Sequence, residues 1–314
     1  GLKVKTIEAT KLKDFLENIF YNSRVVDTLI LKKYHNQYVF PSKRKHEKEF
    51  ALGAFSGLLT LVKDKNEIKR IKSLNEPIIE ENDSLWYAYS PKAEMSKNVA
   101  VFDFSGMYSN IYRTFNLSPE VISDSGELEV GEIKIDMKRK GLISQLFADI
   151  LKERKKIEEA RDALDDRTSS EYYALQNLSG GIKTIANSIT GVANYPSFRL
   201  YSPTISRTVM YISRLLLVEV KKYLDSLGVV TIASDTDSAF VKLKEEDILK
   251  ESKELTDKIN EFLTAFVKER FNLKENYLKV DCEKVFKNIL FIGVKKAYCG
   301  LLEYEKGKKV NKFF

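Results

Sequence analysis

The chain has few of the residues that build histidine and cysteine centres. Its only histidines are His35 and His46, and its only cysteines are Cys282 and Cys299. Two cysteines do not support a disulfide framework or a cysteine zinc site, and they fit a reducing compartment. Two histidines beside a lysine-rich loop argue against a histidine-based catalytic or zinc centre. Other residue types must therefore carry any chemistry.

A long hydrophobic run is also missing. No stretch of the 314 residues reaches the roughly 18 apolar residues of a membrane span, and the N-terminus has no signal-peptide pattern. Hydrophobic residues make up 43% of the chain and charged residues 31%, which is typical of a globular protein with one large or two ordinary domains. We therefore expect no membrane partner.

Positive charge exceeds negative charge. The 52 Lys and Arg residues against 45 Asp and Glu residues give a net charge of +7. A basic excess favours a polyanionic partner such as nucleic acid. A lysine-rich protein with solvated faces accounts for the same excess, so charge alone leaves both interpretations open.

The hydrophobic pattern predicts an α+β protein whose antiparallel sheet is interrupted by a pair of helices. The helix pair covers 141–163 and about 171–190, and the breaker DDRTSS between them offers Ser169 or Ser170 as an N-cap. Other helices are predicted over 12–21, 202–227 and 246–270. Strands are predicted over 57–62, 84–89, 99–104, 278–286 and 290–304, and a hairpin over 229–243. Residues 25–31 fit either a strand or a helix. The rest of 51–98 is expected to be irregular.

Two hydrophobic runs end in acidic residues. VAVFDFSGMY contains Asp103, and TIASDTDSAF contains Asp235 and Asp237. Mg²⁺ usually binds one or two carboxylates together with substrate phosphates, and two such ions can clamp an in-line displacement at phosphorus. The runs therefore predict a two-metal site. A helix N-cap at Asp103 and turn chemistry at 235–237 are the ordinary alternatives.

The predicted helix pair carries cations and an amide. Arg154 lies on its first helix, while Lys183 and Asn187 lie four residues apart on one face of the second. Such groups can hold phosphate oxygens, Arg as a planar fork and Lys as a point charge. Because most Arg and Lys side chains on helices are merely solvated, only the combination with the carboxylates favours a functional role.

Five sequence blocks follow the order found in family B, polymerase-alpha-like DNA polymerases. The blocks are DFSGMYSNI, ERKKI, KTIANSITG, ASDTDS and KKAY. The family patterns are D-x-x-S-L-Y-P, an Arg on the first fingers helix, K-x-x-x-N-S-x-Y-G, Y-x-D-T-D-S and K-K-x-Y. Each block alone is weak, but five in order resemble the family over roughly residues 90–305.

This resemblance implies roles for individual residues. Two Mg²⁺ ions, which Mn²⁺ can replace, are expected to be bound by Asp103, Asp237 and the Phe104 carbonyl. Asp235 is expected to be an accessory catalytic carboxylate, and Glu283 a nearby acid. The residues expected to bind the nucleotide are Gly106 and Met107 through backbone N–H groups, Tyr108 as a steric gate under the sugar, and Arg154, Lys183 and Asn187 on the triphosphate. Lys295, Lys296 and Tyr298 are expected to contact the primer–template duplex.

For three of these residues ordinary roles remain as alternatives. Tyr108 fits a plain core aromatic, and Lys295 with Lys296 fits the protection of an edge strand against aggregation.

The chain departs from the family pattern at five positions. They are Gly106 for Ser, Ser109 for Pro, Glu158 for a second fingers Lys of many archaeal relatives, Thr190 for Tyr and Ala233 for Tyr. None of these changes removes a predicted metal ligand. They predict a divergent archaeal-type branch that is less accurate or less active.

The resemblance also implies an organisation and a function. Residues 1–98 lead into the palm, 99–140 and 192–314 form the palm, and 141–191 form the fingers hairpin, while exonuclease and thumb domains are expected to be absent. The predicted enzyme is the catalytic core of a template-directed DNA polymerase, which joins a dNTP to a primer 3′-hydroxyl. Its predicted partners are primer–template DNA, dNTP and a sliding clamp or accessory subunits, in the cytoplasm or nucleoid of a prokaryote or archaeon.

Two other functions compete with this one. A polymerase-like subunit of weak or no catalytic activity would bind nucleic acid or serve as a scaffold. Another palm-type nucleotidyltransferase, such as a primase or cyclase, is disfavoured because those enzymes lack the helix carrying K-x-x-x-N-S.

Overall fold

The computed structural model describes residues 22–37, 40, 52–90, 92–244 and 247–314, and the helix predicted over 12–21 lies outside them. Its helices are α1 Asn22–Tyr34, α2 Lys65–Lys72, α3 Met107–Thr114, α4 Leu142–Asp162, α5 Ser170–Ala193, α6 Pro203–Ser226 and α7 Ile248–Phe271, with a 3₁₀ turn at Pro119–Val121. Its strands are β1 Ser56–Val62, β2 Ile78–Glu81, β3 Ser84–Tyr89, β4 Glu94–Phe104, β5 Leu128–Val130, β6 Ile133–Ile135, β7 Val230–Asp235, β8 Ser238–Lys242, β9 Val280–Phe291, β10 Tyr298–Glu305 and β11 Lys308–Phe313.

The chain divides into two compact units. The first contains Gly1–Phe50, Ser118–Glu120 and Lys140–Ser206, and the second contains Ala51–Leu117, Val121–Arg139 and Arg207–Phe314. No helix in the described part of the chain is long and apolar enough to cross a bilayer.

The second unit is built on a nine-stranded sheet. Its strand order is β11-β10-β9-β4-β8-β7-β1-β3-β2, and the neighbouring strands pair antiparallel; β5 and β6 form a separate two-stranded sheet. The predicted α+β class is therefore confirmed. Strand β4 lies between β8 and β9, and Val99, Ala100, Val101 and Phe102 on it are all buried. A core strand that is covered on both faces needs such a continuous hydrophobic run.

Helix α7 packs against β9 and β4 and is tied to the start of β9. The Asn260 side chain donates to the Val280 carbonyl at 2.8 Å and accepts from the Val280 N–H at 2.8 Å. This paired contact completes the backbone hydrogen bonding of Val280 where β9 begins. The register of β9 beside β4 is thereby fixed at the end where the acidic residues lie.

The first unit contains the predicted helix pair. Helices α4 and α5 pack against each other, and α1 contacts α5. Ser169 is the N-cap of α5, where its hydroxyl accepts from the Tyr172 N–H at 3.1 Å. Asp149 of α4 accepts from the Tyr34 hydroxyl at 2.6 Å and lies 2.9 Å from Lys33 Nζ of α1.

Some predicted boundaries are wrong. The strand predicted over 290–304 is interrupted by a turn with positive φ at Gly293 and Lys296, and a further strand, β11, follows a second turn at Lys306 and Gly307. Helix α2 occupies part of the region expected to be irregular. It is only eight residues long and buries only Ile68 and Ile71, so the sequence offers few apolar positions from which to recognise it.

Candidate active site

The end of β4 brings two predicted catalytic acids together. Asp103 pairs with Ser238 of β8 on one side and with Asp281 of β9 on the other. The next residue, Phe104, donates its N–H to the Asp237 carbonyl at 2.9 Å. The sheet therefore places Asp103 and Asp237 on adjacent strand ends through backbone contacts alone.

The turn between β7 and β8 orients the second acid. Thr236 adopts φ +58°, and its N–H donates to the Phe55 carbonyl at 2.6 Å. A left-handed conformation is unfavourable for a β-branched residue and persists where surrounding contacts impose it. The bond from Phe55 is such a contact, so the segment before β1 supports the turn that carries Asp237.

The pKa of each of these two acids is raised. Burial, reinforced by the neighbouring Asp237 and Glu283, raises the pKa of Asp103 to about 7. Burial and the charges of Asp235 and Glu283 also raise the pKa of Asp237. Half-buried carboxylates that disfavour each other's ionisation form a strong site for cations, because a cation stabilises both charged forms.

The donor set fits Mg²⁺ in the way that this ion binds to proteins. The described residues contain no group of three or more His, Cys, Asp or Glu side chains around one ion position. Mg²⁺ does not require one, since it commonly binds one or two carboxylates and completes its shell with water and substrate phosphates. Asp103 and Asp237 would supply the carboxylates, and these two ligands and the Phe104 carbonyl stay predictions.

Two of the predicted DNA-contacting lysines are held by acids. Lys296 Nζ lies 3.1 Å from Asp235 Oδ1 and 3.3 Å from the Thr236 hydroxyl. Lys295 Nζ lies 2.7 Å from Glu76 Oε2. Lys296 thus contacts the turn that carries Asp235 and Asp237, whereas Lys295 forms an exposed ion pair elsewhere.

Tyr298 is largely a core residue. Its ring stacks on Phe314 and meets Phe240 and Phe286 edge-on. Burial and nearby acids, Asp235 first, raise the pKa of its phenol. The predicted DNA contact at this position is therefore confined to the part of the phenol that the packing leaves exposed.

Ala233 leaves space where the family pattern has a tyrosine. It is buried and lines a small pocket together with Gly57, Lys296 and Tyr298. Gly57 itself must be a glycine, because it has φ +127° and a Cβ there would lie 2.0 Å from the Tyr89 carbonyl oxygen.

A sharp turn after β4 carries the predicted nucleotide contacts. Gly106 is the N-cap of α3 with φ +59°, a conformation that glycine adopts without strain. The first N–H groups of a helix have no partner within the helix and can bind an anion. Met107 is buried, while Tyr108 is half-buried, and burial followed by the charge of Asp237 raises the pKa of its phenol. The charge of Asp237 therefore acts on Tyr108.

Arg214 is a buried cation at this site that the sequence reasoning missed. Its guanidinium donates through Nη1 to the carbonyls of Leu52 at 2.8 Å and Gly53 at 3.1 Å. Burial lowers its pKa to about 10, and its charge acts on Tyr108. The available signal was an arginine within the hydrophobic run ISRLLLV of a predicted helix.

The remaining predicted residues lie in the first unit. Lys183 and Asn187 are exposed on α5. Arg154 on α4 donates to Glu158 Oε1 at 2.7 Å and to the Ser179 hydroxyl at 3.3 Å. The acids, Tyr108 and Arg214 belong to the second unit. The predicted site residues therefore fall into two groups, one in each unit.

Comparison with known proteins identifies the family. The profile described as DNA polymerase family B matches residues 21–313. The chain belongs to DNA polymerase family B. The resemblance inferred from the five sequence blocks is thereby confirmed.

Relatives of this family B chain include archaeal DNA polymerases that are longer than it. It is 29% identical over 227 residues to DNA polymerase 1 of Sulfolobus acidocaldarius, covering 69% of this chain and 24% of the relative. It is 29% identical over 222 residues to DNA polymerase 2 of Aeropyrum pernix, covering 67% and 25% respectively. The chain thus spans about a quarter of the length of these relatives.

A solved structure has the same fold. The family B DNA polymerase from the hyperthermophilic archaeon Pyrobaculum calidifontis matches 91% of this chain and 32% of its own, with a TM-score of 0.58 and 23% identity. The roles of individual residues and the domain boundaries are tested by none of these comparisons and stay predictions.

Proposed function

We propose that this chain carries the nucleotidyl-transfer site of a template-directed DNA polymerase. The observation that carries the proposal is the pair Asp103 and Asp237. Each is half-buried with a raised pKa, and the Phe104 N–H joins the two strand ends. Membership of family B supports the same conclusion.

The acids hold two Mg²⁺ ions in this proposal, with Mn²⁺ as a substitute. When bound, the ions lower the pKa of the primer 3′-hydroxyl and neutralise the charge on the leaving pyrophosphate. Asp103 and Asp237 are the main ligands with the Phe104 carbonyl, and Asp235 is an accessory carboxylate. Lys296 limits the negative charge of this group, since its ammonium lies 3.1 Å from Asp235.

The other residues bind and orient the substrates. The N–H groups of Gly106 and Met107 hold the β- and γ-phosphates, and Tyr108 excludes the 2′-hydroxyl of a ribonucleotide. Arg154, Lys183 and Asn187 bind the triphosphate from the helix pair. Lys295, Lys296 and Tyr298 contact the primer–template duplex, and additional domains or a clamp strengthen the grip on DNA.

Single-nucleotide primer extension tests the proposal. The wild-type chain with Mg²⁺ or Mn²⁺ should add one nucleotide, and Asp237→Asn should lower the rate by at least about 10³-fold, because one of the two carboxylates that would hold the ions is lost. A gel-shift assay on the same DNA is the control for folding and binding. Extension that persists in Asp237→Asn would assign the activity to another site.

A second candidate is a polymerase-like module that binds nucleic acid with little catalysis. The observation that favours it is that Arg154 and Lys296 are each paired with an acid of the chain itself. DNA binding by the wild type without extension in either metal would select this function.

A further inference from the structure

One predicted triphosphate ligand has a carboxylate partner of its own. Arg154, Glu158 and Ser179, which we call the Arg154 cluster, join helix α4 to helix α5. Arg154 Nη2 donates to Glu158 Oε1 at 2.7 Å, and Arg154 Nε donates to the Ser179 hydroxyl at 3.3 Å. The Ser179 hydroxyl in turn donates to the same Glu158 oxygen at 2.9 Å. The three groups thus form a closed ring of hydrogen bonds.

The cluster is more enclosed than its neighbours on the same helix. The side chains of Arg154 and Glu158 are 29% and 32% exposed, and Ser179 is buried. Lys155 and Glu159 form a pair of the same spacing one residue further along, but they are 77% and 65% exposed and 3.7 Å apart. Screening by water is weaker at the enclosed pair, so Glu158 holds Arg154 more firmly than Glu159 holds Lys155.

A contribution to helix stability does not explain why Arg154 and Glu158 are paired in this way. An acid four residues before a base is the more favourable order, because it matches the helix dipole, and here the base comes first. The link through Ser179 is also unnecessary for an i, i+4 pair. The geometry instead fixes the direction of one guanidinium between the two helices.

A triphosphate that binds the same edge of the Arg154 guanidinium competes with the Arg154 cluster. A guanidinium presents its donors in one planar fork, and a bidentate phosphate contact needs two of them. Nη2 and Nε are the atoms used within the cluster. Moving them to phosphate oxygens breaks the hydrogen bonds to Glu158 and Ser179, and this cost weakens the binding of the triphosphate.

We propose that Glu158 is a residue that sets the affinity of this chain for nucleoside triphosphate, by holding Arg154 in the Arg154 cluster. The inference rests on the proposed function, since it takes Arg154 as a triphosphate ligand. Glu158 should therefore raise the KM for dNTP without changing the rate of the chemical step, because the acids of the second unit are not part of the cluster.

Glu158→Gln tests the inference, and Glu159→Gln is the matched control. Both variants remove one negative charge from adjacent positions of α4. Binding of a fluorescent dATP analogue with Ca²⁺, which provides a divalent ion without turnover, gives Kd for the full chain. We expect Glu158→Gln to tighten Kd and to lower the KM for dNTP by about fivefold, which is the range of a partly exposed ion pair, with kcat unchanged. Glu159→Gln should change Kd by less than about twofold.

The combination with Arg154→Gln completes the test. In that background Glu158→Gln should lose most of its effect on Kd, because the partner that it releases is gone. Equal effects of Glu158→Gln and Glu159→Gln, or an effect that survives Arg154→Gln, would overturn the inference while nucleotide binding itself stands. Absence of nucleotide binding in the wild type and in Glu158→Gln would overturn the inference together with the proposed function. Thermal unfolding of all variants verifies that they are folded.

Discussion

The ammonium of Lys296 lies 3.1 Å from the carboxylate of Asp235 and bridges to the Thr236 hydroxyl. Both ends of the contact are tight turns, since Thr236 and Lys296 each adopt a positive φ. The contact joins the turn after β9 to the turn that carries Asp237. A residue predicted to contact DNA is therefore also part of the electrostatic surroundings of the predicted metal ligands.

Lys296→Met should lower the Mg²⁺ concentration that is needed for half-maximal extension by about threefold. The Lys296 ammonium lies 3.1 Å from Asp235 and repels a cation at the neighbouring acids, so its removal strengthens metal binding. The measurement is a Mg²⁺ titration of primer extension at saturating DNA. Lys295→Met is the control, because that lysine is paired with Glu76 and not with the acids. Equal shifts in both variants would point to a general effect of the protein's net charge.

Asp103→Asn should stabilise the metal-free protein at pH 8. The pKa of Asp103 is raised from 3.8 to about 7 in the folded chain. Between these values the folded protein holds a proton that the unfolded chain has released, so the free energy of unfolding falls as the pH rises from about 4 to 7. Urea unfolding in EDTA should show a gain for the variant at pH 8 and a much smaller one at pH 5.

The same variant also tests metal binding without turnover. Mg²⁺ at pH 8 should raise the melting temperature of the wild type, because a ligand that binds only the folded state stabilises it, and should do so much less for Asp103→Asn. Identical pH profiles and identical responses to Mg²⁺ in the two proteins would show that Asp103 does not titrate as described and does not bind metal.

Short sequence blocks predicted the acids, because a hydrophobic strand that ends in Asp is visible within ten residues. The α+β class was also predictable, because the hydrophobic periodicity of each helix and strand lies within a short stretch of sequence. The pairing of Lys296 with Asp235 was not predictable, since the two residues meet only through sheet register. Arg214 was missed because its partners, the carbonyls of Leu52 and Gly53, lie more than 160 residues away.

Turn chemistry limited the prediction of the last strands. Lys296 and Lys306 adopt a positive φ, although lysine gives no signal for that conformation. The strand boundaries near them were therefore wrong. The N-cap predicted at Ser169 or Ser170 is confirmed at Ser169, because serine has a strong preference for that position.

Tyr108→Ala should let the chain use ribonucleotides. Tyr108 is half-buried at the start of α3, five residues after Asp103, and the family resemblance predicts that its ring excludes a 2′-hydroxyl. We expect the ratio of kcat/KM for dNTP to that for rNTP to fall by at least about tenfold, which corresponds to the loss of one steric contact. Tyr108→Phe keeps the ring and should keep the ratio. An unchanged ratio in Tyr108→Ala would exclude this tyrosine as the steric gate.

Arg214→Met should destabilise the protein by about 2–3 kcal/mol, since hydrogen bonds from a charged donor to two carbonyls are lost and the methionine offers no replacement. The carbonyls belong to Leu52 and Gly53, three and two residues before Phe55, whose carbonyl holds Thr236. The loss should therefore reach the acidic turn and lower kcat for extension at a temperature where the variant is still folded. Urea unfolding gives the stability, and single-turnover extension gives the rate. Arg214→Lys keeps the charge and one donor and should recover part of both. If Arg214→Met lost stability but kept its full rate, the arginine would support the fold without positioning the turn.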